Sequence, residues 1–95
     1  MIIKPLGSLI LATPTKKETY FTETNIQLVE NDTEAAEVVE YSSNFEGVYK
    51  KGDIILHTKE RGHSQQYNGK LHLFLNGKGY PDGDVWAIIG NANDK

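Results

Sequence analysis

The chain has 95 residues, a formal net charge of −3 and no cysteine. That length allows one small domain, spanning 1–95, and not two. The missing cysteine excludes disulfides and thiolate metal sites, the dispersed Lys and Arg offer no basic stripe for nucleic acid, and no apolar run approaches the roughly 18 residues of a membrane span.

The opening "MIIKPLGSLILA" has one lysine and an early proline, without the three-part pattern of a secretory signal, so a reducing cytoplasm is the simplest compartment expected. Within it Ile2, Ile3 and Leu6 are apolar, while Pro5 removes a ladder donor and confines the segment to a sheet edge. "SLILA" (Ser8–Ala12) reads as the first strand. A long polar run from Thr13 to Glu37 follows, and inside it "TETNIQLVE" (Thr22–Glu30) carries Ile26, Leu28 and Val29 with no evident means of burying them. "NDTEAAEVVEY" offers Thr33 as a helix cap, but Val38 and Val39 favour a strand over Ala36–Tyr41. The carboxylates Glu30, Asp32, Glu34, Glu37 and Glu40 read as a solvated face, since the spacing and central glycine of a calcium loop are absent. Tyr20, Phe21 and Phe45 stand out as aromatics in polar surroundings.

"DIILHT" (Asp53–Thr58) is a second β-branched run behind the "KKGD" turn, and His63 falls in an expected solvated loop tip. "YNGK" (Tyr67–Lys70) holds the Asn-Gly pair that type I′ hairpins prefer, because both central residues need positive φ. "KLHLFL" (Lys70–Leu75) alternates, with Leu71, Leu73 and Leu75 on one face. "GKGYPDGD" (Gly77–Asp84) is glycine-rich but lacks the Lys-Ser/Thr ending of a phosphate loop, so it reads as a turn. "DVWAII" (Asp84–Ile89) closes the set, with Trp86 and Phe74 expected in the core or at an interface. His57, His63 and His72 share no zinc-binding spacing, and no nucleophile–base arrangement is recognisable, so neither a metal, nor a cofactor, nor catalysis is expected. Short strands joined by turns give an all-β domain, most simply a small barrel. The apolar segments at its two ends either pair within the chain or join neighbouring chains.

In order and spacing these pieces resemble the co-chaperonins of the GroES type, the 10-kDa chaperonin family, over roughly residues 2 to 90. "IIKPLGSLILA" is similar to the family opening, "NIQLV" to its Gly-Ile-Val-Leu mobile-loop motif, and "AEVVEYS" to the Gly-Glu-Val strand that follows. "YKKGDIILH" is similar to the Val-Gly-Asp-x-Val strand and "GDVWAIIG" to the closing Asp-Ile-Leu-Ala-Ile strand. The resemblance implies a GroES-like barrel with a mobile loop over about 14–35, assembled into a heptameric dome. That dome would cap an ATP-loaded, GroEL-type chaperonin ring and close a folding chamber over unfolded substrate protein, with ATP acting on the chaperonin alone. It also implies that Asn25, Ile26, Gln27, Leu28 and Val29 dock on the chaperonin. Ile2, Ile3, Pro5 and Leu6 would meet Val85, Trp86, Ile88 and Ile89 of the next subunit.

Three features depart from the family pattern. Only Ser42–Lys50 fills the place of the roof hairpin, which implies a dome open on top. Thr24 and Asn25 replace the usual glycines, and Gln27 interrupts the apolar triplet. These departures imply a divergent member, of bacterial or phage origin; a phage-encoded cap would act in the host cytoplasm. The competing expectation is a monomeric β-barrel module that binds a peptide or another small ligand and is no chaperone. A fragment of a medium-chain dehydrogenase is discounted, because the nucleotide-binding half and zinc cysteines are missing.

Overall fold

The computed structural model describes residues 3–15 and 33–93. These form an all-β fold of six strands: β1 (Leu9–Thr15), β2 (Thr33–Tyr41), β3 (Asp53–Thr58), β4 (His63–Tyr67), β5 (Lys70–Asn76) and β6 (Val85–Asn91). Every strand-to-strand ladder is antiparallel, and the order across the sheet is β4-β5-β1-β2-β3-β6. One 3-10 turn, Ser43–Phe45, is capped by the Ser42 hydroxyl, which accepts from Asn44 N.

The main core lies on one face of this curved sheet. Ile10 and Ala12 from β1, Ala36 and Val38 from β2, Ile55 from β3, Leu75 from β5 and Val85 from β6 converge there. Phe45 and Tyr49 complete it from the 42–50 segment, so Phe45, a polar-surface aromatic by sequence context, is a core residue. The two rings meet edge to face at 5.5 Å, and the Tyr49 hydroxyl donates to Gly77 O. Burial, with the nearby Asp53 charge, pushes the Tyr49 phenol up to about 12. The Ser42–Lys50 segment thus folds inward as a compact plug with a single Glu46–Tyr49 bridge.

Strand β3 is buried on both faces. Ile55 joins the main core, while Ile54 and Leu56 join Ala35 on the opposite face, where Trp86, Ile89 and Ala92 pack over them. Such continuous burial explains why Ile54–Leu56, at the centre of "DIILHT", is an unbroken apolar triplet and not an alternating one.

Two of the sequence expectations change. His63 is the first residue of strand β4, exposed as expected but not in a loop. Its strand exists because the Asn68-Gly69 turn folds it back on β5, with φ of 54° and 77° at the two turn residues and Tyr67 opposite Lys70. Strands β1 and β2 also run deeper into the polar segment than their apolar residues suggest. Pro14 and Thr15 pair with Ala36 and Ala35, so of the span 14–35 both ends belong to strands. Pro14 is tolerated because the β1–β5 ladder stops at Ala12, so that no described strand needs its missing N–H on that side of β1.

The turn between β5 and β6 is packed tightly. A Cβ on Gly83 would stand 2.1 Å from Lys78 O, whereas one on Gly79 would meet nothing within 4 Å. Gly83→Ala is therefore expected to destabilise the fold by about 1–3 kcal/mol, through overpacking against backbone. Gly79→Ala should stay within about 0.5 kcal/mol of the parent. Equal urea midpoints for the two variants would contradict this packing.

Candidate functional site

Among the described residues the chemistry-bearing features gather at two places, the β6 edge and the N-terminal segment. Strand β6 is the last strand of the sheet. Its first residue is bridged by Gly79, with Tyr80 N donating to Val85 O and Val85 N to Lys78 O. From Trp86 onward no described strand pairs with its outer side.

The side chains along this edge are largely apolar. Val85 is buried in the main core, Trp86 and Ile89 are half-buried over the second cluster, and Ile88 is 46% exposed. Tyr80, 53% exposed, stacks on Trp86 with ring centroids 4.5 Å apart and planes inclined by 22°. The indole is fixed from the other side, where its Nε1–H donates to Thr58 Oγ1 at 2.9 Å. Aromatic stacking and one hydrogen bond hold Trp86 in a defined pose at the edge of the described sheet.

The N-terminal segment lies elsewhere. Pro5 is buried, Ile3 is half-buried and Leu6 is 75% exposed. Lys4 tethers the segment to the end of β2: its ammonium donates to Tyr41 O at 2.9 Å, stands 3.8 Å from Glu40, and lies 5.7 Å from the Tyr41 ring centre. Lys51 reaches Glu40 from the other side at 3.5 Å. Burial alone would raise the Glu40 carboxyl, but the Tyr41 N–H with Lys51 and Lys4 more than offsets it, and the group titrates below its ordinary range. Ile3, Leu11 and Val39, with Glu40 and Lys51, line a cleft of about 330 Å³ beside this tether.

The four described N-terminal residues are therefore in no strand and beside β2, not beside β6. Pairing of Ile3, Pro5 and Leu6 with Val85, Trp86, Ile88 and Ile89 does not occur within the chain. Ile2 lies outside the described residues, as do Tyr20, Phe21 and all of Asn25, Ile26, Gln27, Leu28 and Val29. Among the described residues no group of His, Asp and Glu could hold a metal ion, and no helix is long and apolar enough to cross a membrane.

Sequence reasoning missed Tyr80 and Thr58 as partners of Trp86. Tyr80 sits in a glycine-rich turn that carries no apolar pattern, and only the tertiary path brings it onto the indole. No protein-family model matches the chain, and no curated protein matches it.

The Trp86 anchor is open to a direct test. Thr58→Val keeps a β-branched strand residue but removes the acceptor, at an expected cost of about 1 kcal/mol. Thr58→Ser should restore most of it in urea denaturation. A Thr58→Val midpoint equal to the parent's would mean the indole bond contributes nothing to stability.

Proposed function

We propose that the chain is the subunit of a GroES-type co-chaperonin, a cytoplasmic heptameric ring that caps an ATP-loaded chaperonin and closes its folding chamber. One observation carries the reading: an apolar strand edge at β6 and an apolar, unpaired N-terminal segment lie at different places on one chain. An open edge of this kind is an aggregation hazard unless something covers it. Two such surfaces that cannot meet within a subunit suit a head-to-tail contact, which closes into a ring when the rotation permits. In that contact Ile3 and Leu6, with Ile2, cover Trp86, Ile88 and Ile89 of the next copy, while Pro5 and Val85, buried in their own subunit, hold the two surfaces in place.

The order of motifs supplies the other half of the reading. Residues 16–32 connect the paired ends of β1 and β2, and the "NIQLV" motif falls within them. In an extended peptide Ile26 and Leu28 project to one side and Gln27 to the other. Burying those two side chains yields roughly 3–6 kcal/mol gross, and ordering the segment consumes much of it. A single loop therefore binds weakly, while several on one ring gain roughly 10²–10⁴ in avidity. Weak single contacts suit a lid that must leave in every cycle. ATP acts on the chaperonin, and the cap itself performs no catalysis.

A monomeric module for a peptide or small ligand is the second reading, favoured by the cleft of about 330 Å³ beside Lys51 and Glu40. The two readings separate at the loop. Ile26→Ser and Leu28→Ser are each expected to abolish the change in chaperonin ATPase rate and in assisted refolding while leaving the ring mass intact. Full activity in both variants would rule out docking through this motif.

A further inference from the structure

The β3–β6 junction contains a buried histidine that the proposed capping function does not use. His57, on β3, is 1% exposed. Its Nδ1 lies 3.0 Å from Thr58 O, so that nitrogen carries the proton and donates. Among the described residues its Nε2 is the buried side-chain polar atom that has no hydrogen-bond partner. A neutral imidazole with a bare acceptor nitrogen tolerates this at modest cost; an imidazolium would bury a charged donor with nothing to receive it.

The surroundings of His57 tie it to the β6 edge. It stands opposite Glu34 of β2 and opposite Val85 of β6. The next residue, Thr58, is held three times over: its carbonyl accepts from His57, its N–H donates to Asp84 O at 2.9 Å, and its hydroxyl accepts from the Trp86 indole at 2.9 Å. The charged groups facing the imidazole are Glu34, from β2, and Asp84, from the turn entering β6. One oxygen of Asp84 is already engaged with Asn76 N at 2.9 Å.

We infer that His57 is a proton-sensitive latch: in its neutral form it fixes Thr58 and thereby Trp86, and its protonation releases the indole and loosens the β6 edge. An incoming proton at Nε2 finds no acceptor among the described residues in this pose, and the ring gains one by turning toward water or a carboxylate. That movement breaks the bond to Thr58 O, the contact through which the ring bears on the residue holding the indole. Burial pushes the His57 imidazole below its ordinary value, against the opposing pull of the Thr58 carbonyl, Glu34 and Asp84. With the folded-state value depressed, the folded chain binds fewer protons than the unfolded chain in the window between the two. The latch is therefore fully closed above the ordinary histidine value of about 6.5 and opens as pH falls from there through the lowered one.

The test follows the histidine ring protons by NMR, and Trp86 fluorescence, between about pH 7.5 and 4.5. Trp86 is the single tryptophan of the chain, so its emission reports this edge alone. His57 is expected to titrate below the ordinary histidine value of about 6.5. The emission should shift with the His57 midpoint while far-ultraviolet circular dichroism still reports an intact sheet. His57→Phe should abolish that shift; His63→Gln and His72→Gln should leave it. A His57 midpoint at or above about 6.5 would overturn the inference, as would an indole response that survives in His57→Phe or appears only on global unfolding. Should His57→Phe fail to fold, the parent chain's ring titration and its coincidence with the emission shift decide the matter. None of these readouts requires a chaperonin, so failure of the latch and failure of the capping function are distinguishable.

Discussion

Burial of β3 on both faces is the constraint from which the rest of the architecture follows. A strand whose side chains point alternately into two apolar clusters must be flanked by neighbours and covered above and below. One face is covered by the main core, which draws on β1, β2, β5 and β6 and is plugged by Phe45 and Tyr49. The other is covered by Trp86, Ile89 and Ala92. The strand that supplies this cover is also the end of the sheet. The residues that complete the second cluster therefore stand next to a backbone edge that no described strand pairs with, and fold stability and surface stickiness arise from the same few side chains.

That coincidence links the fold to the proposed assembly. A strand edge with Ile88 half exposed and a Tyr80–Trp86 stack beside it is poorly protected, lacking the charges and prolines that usually blunt such edges. At the same time Lys4 ties the N-terminal segment to Glu40 and Tyr41, away from β6, and leaves Leu6 projecting into solvent. In the proposed ring, each surface would be completed by the other on the next copy. The Thr58 hub bears on the same edge, since it sets the Trp86 pose from within and answers to the protonation of His57.

Much of this order was legible in the residues. "DIILHT" runs from Asp53 to Thr58 in both sequence and structure, because its doubly buried centre, Ile54–Leu56, is an unbroken apolar triplet. The Asn68-Gly69 turn was equally plain, since positive φ at two successive positions restricts the choice of residue. Strand β4 was not, because "HSQQY" carries no apolar alternation and owes its conformation to backbone pairing with β5. Nor were the ends of β1 and β2 that run into the polar segment: Pro14, Glu34 and Ala35 are poor strand formers, held extended by their ladder partners. At the candidate edge the apolar character of Val85, Trp86, Ile88 and Ile89 was readable, but their division was not. Alternation separates Val85 from Trp86, but the bulge in the β3–β6 register, where Ile55 pairs with Ile88 and Ile54 with Gly90, puts Ile89 in the same cluster as Trp86. Tyr80 and Thr58 carry no sequence signal for contact with Trp86, because both contacts depend on how the turn from β5 comes back over the sheet.

The central claim is that this subunit completes its two apolar surfaces in a ring and that the ring caps a chaperonin. Native mass measurement of the purified chain, alone and mixed with a double-ring chaperonin with and without ATP, tests it most directly. The account predicts a heptamer that adds to the chaperonin as a unit only when nucleotide is present. A monomer at low micromolar concentration that never joins the chaperonin under either condition would contradict it.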